Sequence, residues 1–238
     1  MKPKFKRVML KISGEGLAGA DGSGIDAEVI TKIALQINEL HQDGVQICIV
    51  AGGGNFFRGA KSVCTGMDRS VADQIGMLAT VMNAMALKSA LEGLLIPIKV
   101  FSGIRVPQVC DDYTFKEASR AMLDGNVLIF AGGTGSPYFT TDTGAALRAI
   151  EMHCDILMKA TQVDGVYDAD PRINPNAERY DTITFSEVLA KHLNVLDMTA
   201  VSMAEAADLP VMIFALNGEK SIVDAVYGKE KCTIIKKQ

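Results

Sequence analysis

Residues 45–54, with the sequence VQICIVAGGG, decide the fold class of this chain. The β-branched and apolar residues from Val45 to Val50 predict a buried strand, and three glycines follow it at Gly52–Gly54. Similar apolar runs predict further strands at Arg7–Ile12, Leu95–Phe101, Asn126–Phe130, Asp155–Met158, Pro210–Phe214 and Cys232–Ile235. Helical spacing of apolar residues predicts helices at Asp26–Gln42, Asp68–Gly93, Phe115–Leu123, Thr141–His153, Phe185–His192, Thr199–Asp208 and Glu219–Tyr227.

Strands that are apolar throughout and are separated by helices are typical of a mostly parallel sheet covered on both faces. No Pro- or Ser-rich linker interrupts the chain, and no internal repeat is visible. The sequence therefore predicts one α/β domain over residues 1–238. The glycine-rich segments follow strands, which is where open α/β sheets bind their ligands.

The composition limits the classes of function. The 238 residues are 48% hydrophobic and 22% charged, and the net charge of -4 gives no basic footprint for a nucleic-acid polymer. The five cysteines lie far apart without a C-x-x-C pair, which indicates reduced thiols and neither a disulfide frame nor a zinc site. No apolar run approaches the ~20 residues of a transmembrane helix. We therefore expect a cytoplasmic protein that binds neither a membrane nor a nucleic-acid polymer.

Two lysines stand at predicted strand ends. Lys11 precedes the loop Ile12-Ser13-Gly14, so its ammonium group and the loop amides can contact phosphate oxygens. The alternative is a lysine that only reaches solvent from an edge strand. Lys159 follows another predicted strand and begins a polar segment, residues 159–171, which chemistry alone identifies only as a loop. The G-x-x-x-x-G-K-[ST] order of a P-loop is absent.

The first glycine-rich loop, residues 51–59, is suited to phosphate. Three consecutive glycines let backbone amides approach a ligand, and Arg58 can grip phosphate oxygens with its planar fork. The alternative is a plain tight turn, which would not need three glycines. We therefore favour a phosphate-binding loop.

The second glycine-rich loop, residues 131–143, combines glycines, hydroxyl groups, two aromatic rings and the carboxylate of Asp142. Its hydroxyls and amides can bind a base and a phosphate at a helix N-terminus. Thr141 and Asp142 can also act as helix caps, and both roles are compatible. Asp73, near the start of a long helix, is either a cap or a bidentate acceptor for ribose hydroxyls.

Together these residues indicate phosphoryl transfer, which depends on positioning and charge neutralisation more than on a nucleophilic side chain. No H-E-x-x-H, G-x-S-x-G or Cys/His pair favours another chemistry. An acceptor phosphate is already ionised and needs no general base. The presence of only three histidines is therefore compatible with this reaction.

The order of four motifs resembles the bacterial UMP kinases of the amino-acid-kinase superfamily. They are K-I-S-G-E from Lys11, G-G-G-N-x-F-R-G from Gly52, G-T-G-x-P-x-F-T-T-D from Gly133 and K-A-T-x-V-D-G-V-Y-x-x-D-P from Lys159. The resemblance covers essentially the whole chain, up to Ile235. It implies a three-layer αβα sandwich with a mostly parallel central sheet, the amino-acid-kinase fold. It also implies Mg²⁺-dependent transfer of the γ-phosphoryl group of ATP to UMP in pyrimidine nucleotide biosynthesis, by a homohexamer.

The resemblance implies roles for individual residues. The catalytic residues would be Lys11, Asp142 and Lys159, with Asp142 arranging the lysines. The ATP-binding residues would be Lys11, Ile12, Ser13, Gly14, Gly54, Arg58, Thr161, Tyr167 and Asp170. The UMP-binding residues would be Gly53, Asp73, Thr134, Gly135, Ser136, Pro137, Tyr138, Phe139, Thr140 and Thr141. No side chain is implied as a metal ligand, because Mg²⁺ would arrive with ATP, held largely by phosphates and water.

Relatives of this kind are often activated by GTP and inhibited by UTP. The segment that matches the region linked with the GTP response is Gly19, Ala20, Asp21, Gly22, Ser23 and Gly24. However, Ser89–Glu92 lacks the pattern of an acidic residue followed by histidine, and Lys99 and Asn126 stand where arginines are expected. The identity of an allosteric effector therefore stays open.

Two other functions are alternatives. One is a kinase of the same superfamily whose acceptor is a carboxylate or carbamate, such as aspartate or acetylglutamate; the T-G-x-P-x-F-T-T-D run argues against it. The other is a non-catalytic nucleotide-binding protein on the same fold. The combination of Lys11, Arg58 and Asp142 argues against that second alternative.

Overall fold

The computed structural model describes residues 2–19, 22–58, 66–217 and 219–238. The strands are β1 (Arg7–Ile12), β2 (Gln46–Ala51), β3 (Ile98–Ser102), β4 (Asp111–Asp112), β5 (Val127–Ala131), β6 (Ile156–Thr161), β7 (Val166–Tyr167), β8 (Arg179–Tyr180), β9 (Thr182–Thr184), β10 (Val211–Ala215) and β11 (Cys232–Lys236). The α-helices are α1 (Ala27–Gln42), α2 (Arg69–Gly93), α3 (Phe115–Leu123), α4 (Thr141–Glu151), α5 (Phe185–Ala190), α6 (Met198–Ala206) and α7 (Ser221–Tyr227).

The central sheet has the strand order β4-β3-β5-β2-β1-β6-β10-β11-β9, and β7 and β8 form a separate two-stranded ribbon. Neighbouring strands of the central sheet run parallel, except for the antiparallel pair β10 and β11. This arrangement confirms the predicted α/β fold with a mostly parallel sheet.

Alternation along the strands divides the core between two helical layers. In β1, Val8 and Leu10 belong to a cluster that includes apolar residues of α1, α2 and α7. Met9 belongs to the opposite cluster, with residues of α3, α4, α5 and α6. Because successive side chains of a strand point to opposite faces, Lys11 lies on the same face as Met9, towards α4.

Capping residues fix where the helices begin. Asp26 accepts hydrogen bonds from the backbone N–H groups of Glu28 and Val29, which confirms the predicted cap of α1. Asp68 caps α2 and Thr140 caps α4. The alternative capping roles considered for Asp73 and for Thr141 and Asp142 are therefore wrong.

Three local predictions were also wrong. The strand expected from Leu95 begins only at Ile98, because Leu95 and Ile96 finish the turn after α2, bonded to carbonyl groups at its end. Lys159 lies inside β6, since that strand pairs with β10 as far as Thr161. The polar segment from residue 161 to 180 contains the β7–β8 ribbon, which was not predicted.

The described cysteines, Cys48, Cys110, Cys154 and Cys232, carry free thiols, whereas Cys64 lies outside the described residues. Within the described part of the chain, no helix has the length and apolar character needed to cross a membrane.

Candidate active site

Lys11 and Lys159 are neighbours in the sheet. They are direct partners in the parallel register of β1 and β6. Leu157 of β6 belongs to the core cluster that includes α4, so alternation places Lys159 on that face as well. Neighbouring strands lie about 4.8 Å apart, so two ammonium groups at this place repel each other unless a negative charge separates them.

Asp142 supplies that negative charge. One of its oxygens, Oδ1, lies 2.7 Å from Lys11 Nζ, and the other, Oδ2, accepts a hydrogen bond of 2.6 Å from Lys159 Nζ. Lys159 Nζ also donates to the carbonyl oxygen of Val195, at 2.6 Å. Asp142 lies in the first turn of α4, where the helix dipole favours a carboxylate.

Burial and charge act in opposite directions on this cluster. Burial would raise the pKa of Asp142, but the ammonium groups of Lys11 and Lys159 hold that pKa below its usual range. Burial lowers the pKa of Lys159, and the nearby charge of Lys11 lowers it further, while Asp142 opposes both effects. The charge of Asp197, which lines the same cavity, also favours the protonated form of Lys159.

Asp197 holds the start of α4 in place. Its carboxylate accepts from Thr140 Oγ1 at 2.5 Å and from Thr143 Oγ1 at 2.8 Å. It also accepts from the backbone N–H of Ala200 at 2.9 Å, and thereby caps α6. One carboxylate thus joins the N-termini of two helices, next to Asp142. Sequence reasoning missed Asp197, and its position before the predicted helix at Thr199–Asp208 was the only available signal.

A cavity of about 370 Å³ opens over the lysines. Its lining includes Lys11, Asp142, Lys159, Thr140 and Thr141. A second cavity, of about 260 Å³, shares Thr140 and Thr141 with the first, so the two adjoin. The lining of the second cavity includes seven of the predicted UMP-binding residues, namely Gly53, Asp73, Thr134, Ser136, Phe139, Thr140 and Thr141. It also includes Gly54, which was predicted to bind ATP.

Asp73 lies near the start of α2 and connects this helix to the second glycine-rich loop. Its carboxylate accepts from Arg69 Nε at 2.8 Å and from the backbone N–H of Tyr138 at 2.8 Å. The guanidinium group of Arg69 lies 5.4 Å from the centre of the Tyr138 ring. Tyr138 has a φ of 71°, a left-handed conformation that is strained for a residue with a side chain.

The predicted ATP-binding residues are only partly brought together. Ser13 and Thr161 line a third cavity, of about 390 Å³. Arg58 Nη2 lies 2.6 Å from Glu15 Oε1, and Glu15 lines the same cavity. Arg58 therefore reaches the turn that begins four residues after Lys11.

The other two predicted ATP-binding side chains have local partners. Tyr167 donates to Asp164 at 2.5 Å, and Asp170 forms an exposed ion pair with Arg172 at 2.8 Å. Neither Tyr167 nor Asp170 is among the residues that line the three cavities. Of the proposed allosteric segment, Ala20 and Asp21 lie outside the described residues.

The first glycine-rich loop approaches the turn at Gly14 and the helix α2 without room for side chains. A Cβ atom on Gly14 would lie 2.5 Å from the backbone nitrogen of Gly54, and one on Gly53 would lie 2.7 Å from the carbonyl oxygen of Gly76 in α2. The turn after β1, the loop after β2 and the helix α2 therefore pack backbone against backbone. This close approach explains Gly52 and Gly53, since a Cβ atom on Gly52 would lie 2.9 Å from the backbone nitrogen of Gly14, whereas a Cβ atom on Gly54 would meet no atom within 4 Å.

Among the described residues, His, Cys, Asp and Glu side chains do not gather in groups of three or more that could hold a metal ion. Asp142 is already engaged by two ammonium groups. This donor set fits an Mg²⁺ ion that is carried by nucleotide phosphates and water rather than by a protein cage.

Comparison with protein families decides the assignment. The model of the amino acid kinase family matches residues 6–215. The chain belongs to the amino acid kinase family. The match begins just before β1 and ends with β10, so this family region contains Lys11, Asp142 and Lys159.

Several relatives within the amino acid kinase family carry the same name. The chain is 48% identical over 237 residues to the uridylate kinase of Hyphomonas neptunium, covering 100% of this chain and 94% of the relative. It is 48% identical over 232 residues to the uridylate kinase of Paramagnetospirillum magneticum, covering 98% and 97%.

Solved structures in this family have the same fold. The UMP kinase of Ureaplasma parvum matches with a TM-score of 0.93 and 39% identity, covering 100% of both chains. The UMP kinase of Bacillus anthracis matches with a TM-score of 0.93 and 33% identity, covering 98% of this chain and 96% of the other.

Proposed function

We propose that this protein is a UMP kinase, which transfers the γ-phosphoryl group of ATP to UMP and gives UDP and ADP. The observation that carries the proposal is the bridge from Asp142 to Lys11 and Lys159 beside two adjoining cavities. The uridylate kinases that are 48% identical over almost the whole chain support the choice of acceptor.

The chemistry follows from the charges. Donor and acceptor are both phosphates, so their repulsion must be neutralised before the acceptor oxygen can attack in line. In this proposal the ammonium groups of Lys11 and Lys159 stabilise the transferring group, and Asp142, which lies between them, offsets their mutual repulsion. The UMP phosphate is already ionised, so no general base is needed to remove a proton before it attacks.

The cavity of about 260 Å³ is our candidate UMP site. Hydroxyl groups of Thr134 and Ser136 and the Phe139 ring can contact the uracil, and Asp73 can accept hydrogen bonds from the ribose hydroxyls. Thr140 and Thr141 line both cavities, which suits contacts with the UMP phosphate next to the lysines. We assign the remaining residues of the run from Gly135 to Tyr138 to the same site.

We assign ATP to the lysine side of the cleft and to the third cavity. Lys11, with the Ile12-Ser13-Gly14 turn, would contact its phosphates, and Arg58 would assist. The resemblance also assigns Gly54 to ATP, although Gly54 lines the cavity that we assign to UMP. Thr161, Tyr167 and Asp170 would lie towards the adenosine. Arg58 would exchange Glu15 for phosphate oxygens.

Mg²⁺ would arrive with ATP, and it supplies charge neutralisation between the phosphates when bound. The chain's own contribution is then the position of the two ammonium groups on the sheet.

At the level of the whole protein, we propose one catalytic domain over residues 1–238 in a cytoplasmic homohexamer that serves pyrimidine nucleotide biosynthesis. Allosteric activation by GTP, through the segment from Gly19 to Gly24, and inhibition by UTP are part of this proposal. The resemblance of the sequence to UMP kinases supports these features.

The decisive experiment is a screen of acceptors with ATP and Mg²⁺, comparing UMP, CMP, dUMP, AMP and aspartate in an ADP-release assay. We expect UMP to be the preferred acceptor. Activity with aspartate but not with UMP would overturn the proposal, and ATP binding without any turnover would favour a non-catalytic nucleotide-binding protein. Repeating the screen with GTP and with UTP tests the regulation.

A further inference from the structure

The side chains of Asn55, in the loop after β2, and Asn83, in α2, form a buried amide pair. Asn55 Nδ2 donates to Asn83 Oδ1 at 3.0 Å, and Asn83 Nδ2 donates back to Asn55 Oδ1 at 2.8 Å. Asn83 lies in α2 and is 0% exposed, and Asn55 is 4% exposed. Neither residue is part of the phosphoryl-transfer cluster described above.

The amide pair uses all its hydrogen-bond donors. The second N–H of Asn83 donates to the carbonyl oxygen of Gly52 at 2.6 Å. The second N–H of Asn55 donates to the carbonyl oxygen of Gly24 at 2.6 Å. Because each amide NH₂ group has two donors and both are satisfied, the orientation of both side chains is fixed.

One turn earlier on the same helix, Thr80 holds the other glycine-rich loop. Thr80 Oγ1 accepts a hydrogen bond of 2.8 Å from the backbone N–H of Gly132, and it donates to the carbonyl oxygen of Met77. Thr80 is also buried. The helix α2 therefore carries two buried polar residues, three positions apart, that each hold one of the loops.

These contacts connect the two proposed nucleotide sites. The turn at Gly14 has no space for a Cβ atom, because that atom would lie 2.5 Å from Asn55 Oδ1. The Asn55 amide therefore packs against the turn at Gly14, which we assign to ATP. The loop at Gly132 belongs to the proposed UMP site. Gly53 and Gly54 line the candidate UMP cavity, and the Gly14 turn packs against their loop from the donor side, so a shift of the Gly14 turn against this loop would change the distance between the two sites.

We propose that the Asn55–Asn83 amide pair is a positioning device that sets the distance between the phosphate-donor and phosphate-acceptor loops. The inference rests on the proposed function, since it assumes that both loops hold nucleotides. Its consequence is specific: loss of the pair should impair the chemical step more than the binding of either nucleotide. Misplacement of reacting groups by about 1 Å can reduce a rate by about 10²-fold.

The test compares Asn55→Leu, Asn83→Leu and the double variant. Each single variant leaves one buried amide without a partner and should lose stability. The double variant replaces both amides by apolar groups of similar shape, which is often nearly neutral for stability. The carbonyl oxygens of Gly52 and Gly24 lose their donors in the double variant, so we expect its melting temperature to lie above that of either single variant and below that of the wild type.

We expect kcat not to recover. In the double variant it should stay at least about 10-fold below that of the wild type, while the dissociation constants for ATP alone and UMP alone change less than about threefold. Tyr113→Phe is the matched control, because it removes a side-chain hydrogen bond of 2.7 Å to Glu151 at the far end of α4. It should lower stability without changing kcat.

Recovery of kcat together with stability in the double variant would overturn the inference and leave the pair a purely structural role. The rates are compared with the acceptor that the wild type phosphorylates best. Failure with UMP but activity with another acceptor would therefore reject the proposed function without rejecting the inference. A wild type that turns over no acceptor would reject both.

Discussion

The carboxyl edge of the sheet carries two sets of ion pairs that differ in burial. The side chains of Lys11, Asp142 and Lys159 are 9%, 12% and 17% exposed, whereas those of Arg58 and Glu15 are 47% and 44% exposed. The first set belongs to two strands and a helix, and the second to the turns that follow strands. Strands and a helix therefore hold the cluster of Lys11, Asp142 and Lys159. Loops hold the ion pair of Arg58 and Glu15, in which a phosphate can replace Glu15.

This difference has an energetic meaning. An exposed ion pair contributes about 0–1 kcal/mol, so a phosphate can displace Glu15 from Arg58 at little cost. Removing one partner from a buried pair is far more costly, because it leaves an uncompensated charge in a medium of low polarity. The buried cluster is therefore set before substrate arrives, and the exposed pair adapts afterwards.

The largest expected effect comes from Lys11→Met. We expect kcat to fall by about 10³-fold, because an ammonium group aimed at the transferring phosphoryl group is lost. The melting temperature should fall less than it does on removal of Asp142, since Lys159 still pairs with Asp142. Lys220→Met, which removes an exposed pair with Glu39, is the control and should retain its rate. A loss of less than tenfold in Lys11→Met would remove Lys11 from the catalytic cluster.

A smaller effect is expected from Asp197→Ala. The start of α4 would lose its bonds to the carboxylate and α6 would lose its cap, at a cost of about 1–2 kcal/mol in the free energy of unfolding. The resulting displacement of Asp142 should lower kcat by about 10-fold. Steady-state kinetics and chemical denaturation measure the two effects. An unchanged kcat at reduced stability would mean that Asp197 only caps helices.

The pH dependence of kcat should distinguish the buried lysine cluster from the exposed pair of Arg58 and Glu15. Burial lowers the pKa of Lys159 below the ordinary value of 10.5, so its ammonium group loses the proton earlier than an exposed lysine does. We expect kcat to fall as the pH rises through that lowered pKa. Lys159→Arg keeps its charge and should lose this alkaline decline, although its rate is lower throughout. The same alkaline decline in both proteins would contradict the assignment.

The smallest effect is expected from Arg58→Met. Because its ion pair is exposed, stability should change by less than about 1 kcal/mol. The KM for ATP should rise by about three- to tenfold, with UMP binding unchanged. Glu15→Gln is the matched variant, since it removes the negative charge of the same ion pair and should leave the KM for ATP unchanged or lower. A fall of kcat in Arg58→Met as large as that in Lys11→Met would erase the distinction between the two sets.

Much of the sheet and of the lysine cluster could be predicted from the sequence. Apolar runs predicted the long strands, and glycines after strands marked the cavities. Lys11 and Lys159 stood out because each was placed at the end of a predicted strand. The pairing of β1 with β6, which makes these lysines neighbours, depends on strand order, and no local pattern encodes that order.

The residues that sequence reasoning missed act over long separations. Asp197 bonds to Thr143 across 54 positions, and Asn55 pairs with Asn83 across 28. Each looks like an ordinary polar residue in its own segment. Leu95 was misassigned for the opposite reason, because an apolar helix end resembles a strand, although Leu95 is 91% exposed.

The most direct test of the central claim is a crystal structure with UMP and a non-hydrolysable ATP analogue, in which the distances from Lys11 Nζ and Lys159 Nζ to the phosphate oxygens are measured. We predict that both ammonium groups lie within about 3.5 Å of oxygens of the γ-phosphate or the UMP phosphate, with Asp142 still between them. Phosphates bound at a different part of the sheet edge, out of reach of both lysines, would contradict the account.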